Sequence, residues 1–266
     1  MELIMLYVSH INVDNTIAVK DSFTKEIQHF KKEQIENPTT MIPFILGVFK
    51  NGSRVEIHQI TWENGSECLL PLIKDLKNPM IQQYADLIRH IIPPYIFQIP
   101  SSSTGKYHPA SDAGKGGLKR HLISVTKTLD YLTQPAFSKS LFSSDEIDLM
   151  KVACFMHDGL KNGWEQEKYT RFDHPLLMAN AIRGCNTILA PNMVEFIAHC
   201  IESHMGEWNT SKYSQVVLPT PSDKNQYFVH LADYLASRSD VNFVFNGNVY
   251  YKDGQTPINV DSIPTN

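Results

Sequence analysis

Four residues of this 266-residue chain stand where an unpaired imidazole or a free carboxylate is hard to accommodate: His121, the adjacent pair His157-Asp158, and Asp233. Phe155 and Met156 precede the pair, so an acid is expected at the buried end of an apolar helix. An ionised carboxylate in such a place is costly unless it is neutralised, paired or bound to a metal. His121 borders a leucine stripe, and Asp233 lies inside the apolar run FVHLADYLA. Each signal alone is weak: a His-Asp dipeptide arises often by chance, a core histidine is usually just hydrogen-bonded, and Asp233 could pair with Arg238 or Lys224. Together, on three successive helical segments, they predict a site for a divalent ion, whose ordinary ligands are imidazole and carboxylate.

The elements that must position these groups can be read from periodicity. Leu118, Leu122, Val125, Leu129 and Leu132 form one helical stripe. Ser143 with Glu146 makes a capping box ahead of Ile147, Met150 and Cys154, a stripe that leads to His157, with Gly159 as a stop. A further helix starts near Pro191 with Val194, Ile197, Ala198 and Ile201, and a last one carries Phe228, Leu231 and Leu235. Upstream, Pro79 to Ile92 reads as a helix that Pro93-Pro94 ends. The segment Gln98 to Gly117, rich in Ser, Gly and Pro, reads as a functional loop over the site rather than a plain linker, because it carries Lys106, Tyr107, His108 and Lys115. Before residue 75 the pattern is mixed: strands at Leu3–Val13, Phe44–Phe49 and Val55–Trp62, the last two joined by a hairpin at Lys50-Asn51-Gly52-Ser53, and a charged helix at Lys20–Gln34. A short hairpin is expected around Asn246-Gly247-Asn248.

The fold class expected is therefore mainly α. Residues 1–92 form a small N-terminal α+β segment, 93–240 the helical domain with the site, and 241–266 a C-terminal extension packing on it. With 42% hydrophobic and 20% charged residues, the composition is that of a soluble globular protein, and a formal net charge of -4 argues against general coating of nucleic acid. Cys68, Cys154, Cys185 and Cys200 form no C-x-x-C pair and read as reduced, mostly buried thiols. With no basic leader and no apolar run of membrane-spanning length, the expected location is the cytoplasm, with no membrane partner.

The order His121, His157-Asp158, Asp233 resembles the HD-domain metal-dependent phosphohydrolase superfamily. The contexts GGLKRH, ACFMHDGLK, IESHMGEW and VHLADYLASR look most like the HD domains of YhaM-type 3'-5' exoribonucleases and of bacterial and phage relatives. The resemblance covers roughly residues 95 to 240. It implies a five-helix HD-domain core, metal ligands at His121, His157, Asp158 and Asp233, and hydrolysis of a phosphate ester. It also implies a second ion through His174, in FDHP, and His204, in ESHMG, although Met205 stands where relatives often carry another histidine. His199 lies about 140° from His204 around a helix, so the two do not share a site easily. By the same likeness Lys161 matches the lysine of an HD-x-x-K pattern and would act with Asp158 in catalysis.

One or two divalent ions (Mn, Fe, Mg, Ni or Co) are the implied cofactors, because a bound metal brings the pKa of a water toward neutrality. Lys106, Tyr107, His108, Lys115, Arg120 and Trp208 are candidate substrate contacts, with Trp208 expected either to stack on a base or to cover the core. The expected substrate is a nucleotide or a short, also cyclic, oligonucleotide. A 3'-5' exonuclease on long RNA or DNA is less favoured, since residues 1 to 75 show no convincing nucleic-acid-binding module. A non-catalytic nucleotide sensor and a di-iron oxygenase on the same scaffold are the readings from other classes. Oligomeric state is not legible in the chain.

Overall fold

The computed structural model describes residues 65–103, 108–134, 141–185 and 189–240 in full, and elsewhere the backbone of short strands. The fully described part is mostly helical: α1 Leu70–Lys74, α2 Pro79–Ile88, α3 Gly117–Leu132, α4 Ser144–Met156, α5 His174–Gly184, α6 Pro191–Glu202 and α7 Lys224–Ala236. Among the strands, β1 Glu2–Ile11, β2 Thr16–Asp21, β3 Ile27–Lys31, β4 Pro43–Val48 and β5 Val55–His58 pair antiparallel in the order β3-β2-β1-β4-β5. The stretch Lys20–Gln34, expected as a charged helix, thus contributes to β2 and β3 instead. The turn expected between β4 and β5 lies outside the described residues. At the other end, β6 Asn248–Tyr250 pairs antiparallel with β7 Pro257–Asn259; Asn246 and Gly247, where a short hairpin is expected, lie outside the described residues.

Helix starts follow from local chemistry. The Asn78 side chain accepts from the backbone N–H groups of Met80 and Ile81, with Pro79 opening α2. The capping box Ser143/Glu146 is formed in full at α4. Asp223 accepts from the N–H groups of Asn225 and Gln226 at α7. Pro175 and Pro191 stand in the first turns of α5 and α6, where a missing N–H costs nothing.

The apolar faces of all these helices meet in one core. Ile81, Tyr84, Ile88, Ile91 and Ile92 lie in it together with Leu118, Val125, Leu129, Phe155, Ile197 and Ile201, so α1 and α2 share the core of the helices that follow. Each such side chain contributes about 1.5–3 kcal/mol through removal from water. Helix α3 packs against α4 and α7, α6 against α4 and α5, and Tyr84 Oη donates 3.2 Å to the Ile182 carbonyl across the core. Cys154, Cys185 and Cys200 are buried free thiols within it, and burial pushes their ionisation up.

Helix α7 carries the apolar residues expected on it, and they divide. Its buried apolar residues are Val229, Ala232 and Ala236; Phe228 packs against the core and on Phe142, and Leu231 is exposed. His230, Asp233 and Tyr234 of the same helix line a cavity. Among the described residues, no helix is long and apolar enough to cross a membrane.

Candidate metal centre

The end of α4 builds the centre. His157 closes the helix, and its Nδ1–H donates 2.7 Å to the carbonyl of Cys154. His174, first residue of α5, donates 2.6 Å from Nδ1 to the Arg171 carbonyl. His204, in the turn after α6, donates 2.7 Å from Nδ1 to the Ile201 carbonyl. A carbonyl can only accept, so all three rings are fixed with the proton on Nδ1 and the Nε2 lone pair aimed inward. Burial, reinforced by His157, lowers the His204 imidazole to about 3, which keeps it in the neutral form that ligates metals.

These Nε2 atoms converge on Asp158, which is buried with them. Its two oxygens face different partners. Oδ1 lies 2.9 Å from His174 Nε2 and 3.9 Å from His204 Nε2; Oδ2 lies 3.4 Å from His157 Nε2 and 3.9 Å from His121 Nε2. Asp233 Oδ1 completes the second group, 3.0 Å from His121 Nε2 and 3.7 Å from His157 Nε2. Lys161 is ion-paired with Asp158 one helical turn on. Burial alone would raise the Asp158 carboxyl, but Lys161 and His157 outweigh it and hold the acid ionised, well below the ordinary carboxylate range.

Asp112 is the residue that sequence reasoning missed. It is fully buried, and its Oδ2 accepts from His121 Nδ1 at 3.2 Å, with His108 Nδ1 3.5 Å away. Burial pulls the His121 imidazole down, yet Asp112 and Asp233 on its two nitrogens outweigh it and hold it at about 9. Asp112 therefore fixes the His121 ring with Nε2 turned to the centre. It reaches this position because the loop folds back on itself: Ser101 N–H donates to the Asp112 carbonyl at 3.1 Å, and Leu118 N–H to Ile99 at 3.0 Å. Gly117 permits the approach, since a Cβ there would lie 1.9 Å from the Asp112 carbonyl oxygen. The only hint in the sequence is one acid in the Ser/Gly-rich run SDAGKGG.

Whether this set suits a metal is answered by its unpartnered atoms. His157 Nε2, His174 Nε2 and Asp158 Oδ1 are buried without a hydrogen-bond partner among the described residues. Bare nitrogens and carboxylate oxygens turned toward one another call for a cation between them. Among the described residues, three overlapping groups have ligand atoms close enough to share an ion: His108/Asp112/His121, His121/His157/Asp233 and His157/Asp158/His204. Buried His and Asp groups are thus present that could hold a metal.

The remaining candidates divide. A cavity of about 440 Å³ opens beside the centre and is lined by His108, Asp158, Lys161, His174, His204, Trp208 and Asp233 of the expected residues. It is also lined by Thr170, Met205, His230, Tyr234, Ser237 and Arg238, which were not expected there. Lys106 and Tyr107 lie outside the described residues. Lys115 is exposed and away from the cavity. Arg120 is turned to its own loop, where its guanidinium donates to the carbonyls of Ser111, Ala113 (2.8 Å) and Lys115 (3.1 Å). His199 is on the surface beside Glu195. Arg238 and Lys224 do not pair with Asp233: Arg238 lies on the Tyr234 ring, and Lys224 bridges to Glu146 at 2.9 Å. Comparison of the chain with protein-family models, with curated proteins and with solved structures gives no match.

Proposed function

We propose that this chain is a metal-dependent phosphohydrolase of the HD-domain type, acting on a phosphate ester of a nucleotide or short oligonucleotide. The observation that carries the reading is the convergence of His121, His157, His174 and His204 on Asp158 and Asp233, with buried ligand atoms left unpartnered beside a cavity.

His121, His157, Asp158 and Asp233 would hold one divalent ion, and His174 and His204 would join Asp158 in holding a second. Bound ions of this kind supply positive charge to phosphoryl oxygens and acidify a water. The chain's own residues do the rest. Lys161 lines the cavity next to Asp158 and offers an ammonium to a phosphoryl oxygen. His108 also lines the cavity, its Nδ1 3.5 Å from Asp112; burial lowers its imidazole below the ordinary value, so in its neutral form it offers the substrate a hydrogen bond. The buried walls around Asp158 exclude bulk water and strengthen each of these interactions.

The test is metal content of the purified chain together with hydrolysis of bis(p-nitrophenyl) phosphate and a nucleotide panel across Mg, Mn, Fe, Co and Ni. Bound metal and hydrolysis that both disappear in Asp158→Ala are the expected result. A folded chain that takes up no metal would overturn the reading, and stoichiometric metal with no hydrolysis of any phosphate ester would remove the catalytic part of it.

A further inference from the structure

Beside the His/Asp cluster, the same cavity has an aromatic wall. Trp208 stacks on Tyr234 with ring centroids 5.5 Å apart and planes within 10°, and the guanidinium carbon of Arg238 lies 4.2 Å from the centroid of Tyr234. Trp208 is nonetheless 44% exposed, so much of its indole is left open to a ligand in the cavity. From this wall we infer that the site binds one nucleotide unit, with its base stacked on Trp208 and its phosphate at the cluster. The inference rests on the phosphohydrolase reading and deepens it.

Three arguments support it. The first is connectivity. Trp208 follows His204 by one turn, its N–H held by the Met205 carbonyl at 3.1 Å, and Tyr234 follows Asp233 directly. The wall and the ligands come from the same two segments, so their spacing is fixed. These segments are locked together, because His230 Nδ1–H donates 2.7 Å to the His204 carbonyl. Gly206 makes room for that contact: its φ is +58°, and a Cβ would lie 2.2 Å from the His230 ring.

The second argument is preorganisation. Tyr234 contacts both the indole and the Arg238 guanidinium, and Arg238 Nε donates 3.2 Å to the Tyr234 carbonyl. A stack already ordered in the free protein loses little on binding. The third is the pairing of chemistries. A flat apolar surface in one cavity of about 440 Å³ with carboxylates, imidazoles and Lys161 matches a planar ring joined to a phosphate. A sugar phosphate lacking a base would leave the wall unused.

The experiment measures binding rather than turnover. The full chain is loaded with Mn²⁺ and titrated calorimetrically with a phosphonate analogue of adenosine monophosphate, which has no cleavable P–O ester, and separately with inorganic phosphate. Trp208→Leu is expected to weaken the analogue about ten-fold or more, in keeping with base–aromatic stacking. Trp208→Phe should recover most of that loss, and phosphate affinity should be equal in all three proteins. Equal analogue affinity in Trp208→Leu and wild type would overturn the base subsite and leave the phosphohydrolase reading standing. A parallel loss of phosphate binding would overturn it too, by showing that Trp208 only supports the fold. Failure of wild type to bind either ligand would remove both readings.

Discussion

Helix α4 has a buried acid near each end, and the two are treated differently. Near its start, Asp148 is almost inaccessible, and one of its oxygens accepts backbone N–H groups of Lys77 and Asn78, both at 2.7 Å. It ties α4 to the entrance of α2, where Asn78 also caps the helix and bonds to Asp145 at 2.9 Å. Just past the other end, Asp158 is equally buried but meets side chains only partly arranged to satisfy it: an ion pair with Lys161, and an Oδ1 left without a hydrogen-bond partner. Fixed backbone donors make the first acid part of the architecture. Lone pairs facing the second leave a place for a cation, so buried charge by itself does not mark a functional site; incomplete satisfaction does.

The strongest way to break this contrast is to remove each acid in turn. Asp158→Ala should reduce hydrolysis by on the order of a thousand-fold and eliminate stoichiometric metal, as expected when metal-derived stabilisation of several kcal/mol is lost. Its stability to urea in the presence of chelator should change less than that of Asp148→Ala. The Asp148 substitution leaves two N–H groups at the start of α2 unsatisfied and should cost about 2–3 kcal/mol, with metal content intact. Reversal of the two phenotypes would mean that the roles are assigned to the wrong ends of the helix.

A smaller effect is expected one step away from the ligands. Asp112→Asn keeps the shape of the side chain but removes the charge that holds the His121 ring. Metal affinity should fall about 10–100-fold, the usual range for a partner behind a ligating histidine. Competition with a chromophoric chelator would measure it, and circular dichroism would show the fold unaltered. An unchanged metal affinity would place His121 outside the ion's coordination.

Much of this arrangement was legible before any coordinates. The stripe of Leu118, Leu122, Val125 and Leu129, the Ser143/Glu146 box and the start of α6 at Pro191 are local patterns, and local patterns specify local structure. His121, His157, Asp158, His174, His204 and Asp233 stood out because polar groups at helix positions next to apolar runs are conspicuous. Asp112 did not, since its burial depends on a loop folding over the start of α3, and no periodicity marks such a return. Bulk is no guide to burial on α7 for a related reason: Ala232 and Ala236 are buried there while Leu231 is exposed, because partner helices and not the helix's own pattern decide which side is covered. Tyr234 and Arg238 line the cavity without any local pattern that marks them.

Arg120 gives the finest test, because sequence and structure assign it different work. Read as a substrate contact, its guanidinium would grip a phosphate; in the fold it clasps the carbonyls of Ser111, Ala113 and Lys115, the loop that carries Asp112. Lysine preserves the charge but lacks the planar fork that reaches several acceptors together. If the clasp is its role, Arg120→Lys loosens Asp112 and weakens metal binding by only a few-fold, less than Asp112→Asn, because the backbone bonds at Ser101 and Leu118 still hold the loop. At saturating metal its KM should then equal that of wild type. A raised KM with unaltered metal affinity would return Arg120 to the substrate, and would mean that the loop opens toward the cavity when ligand binds.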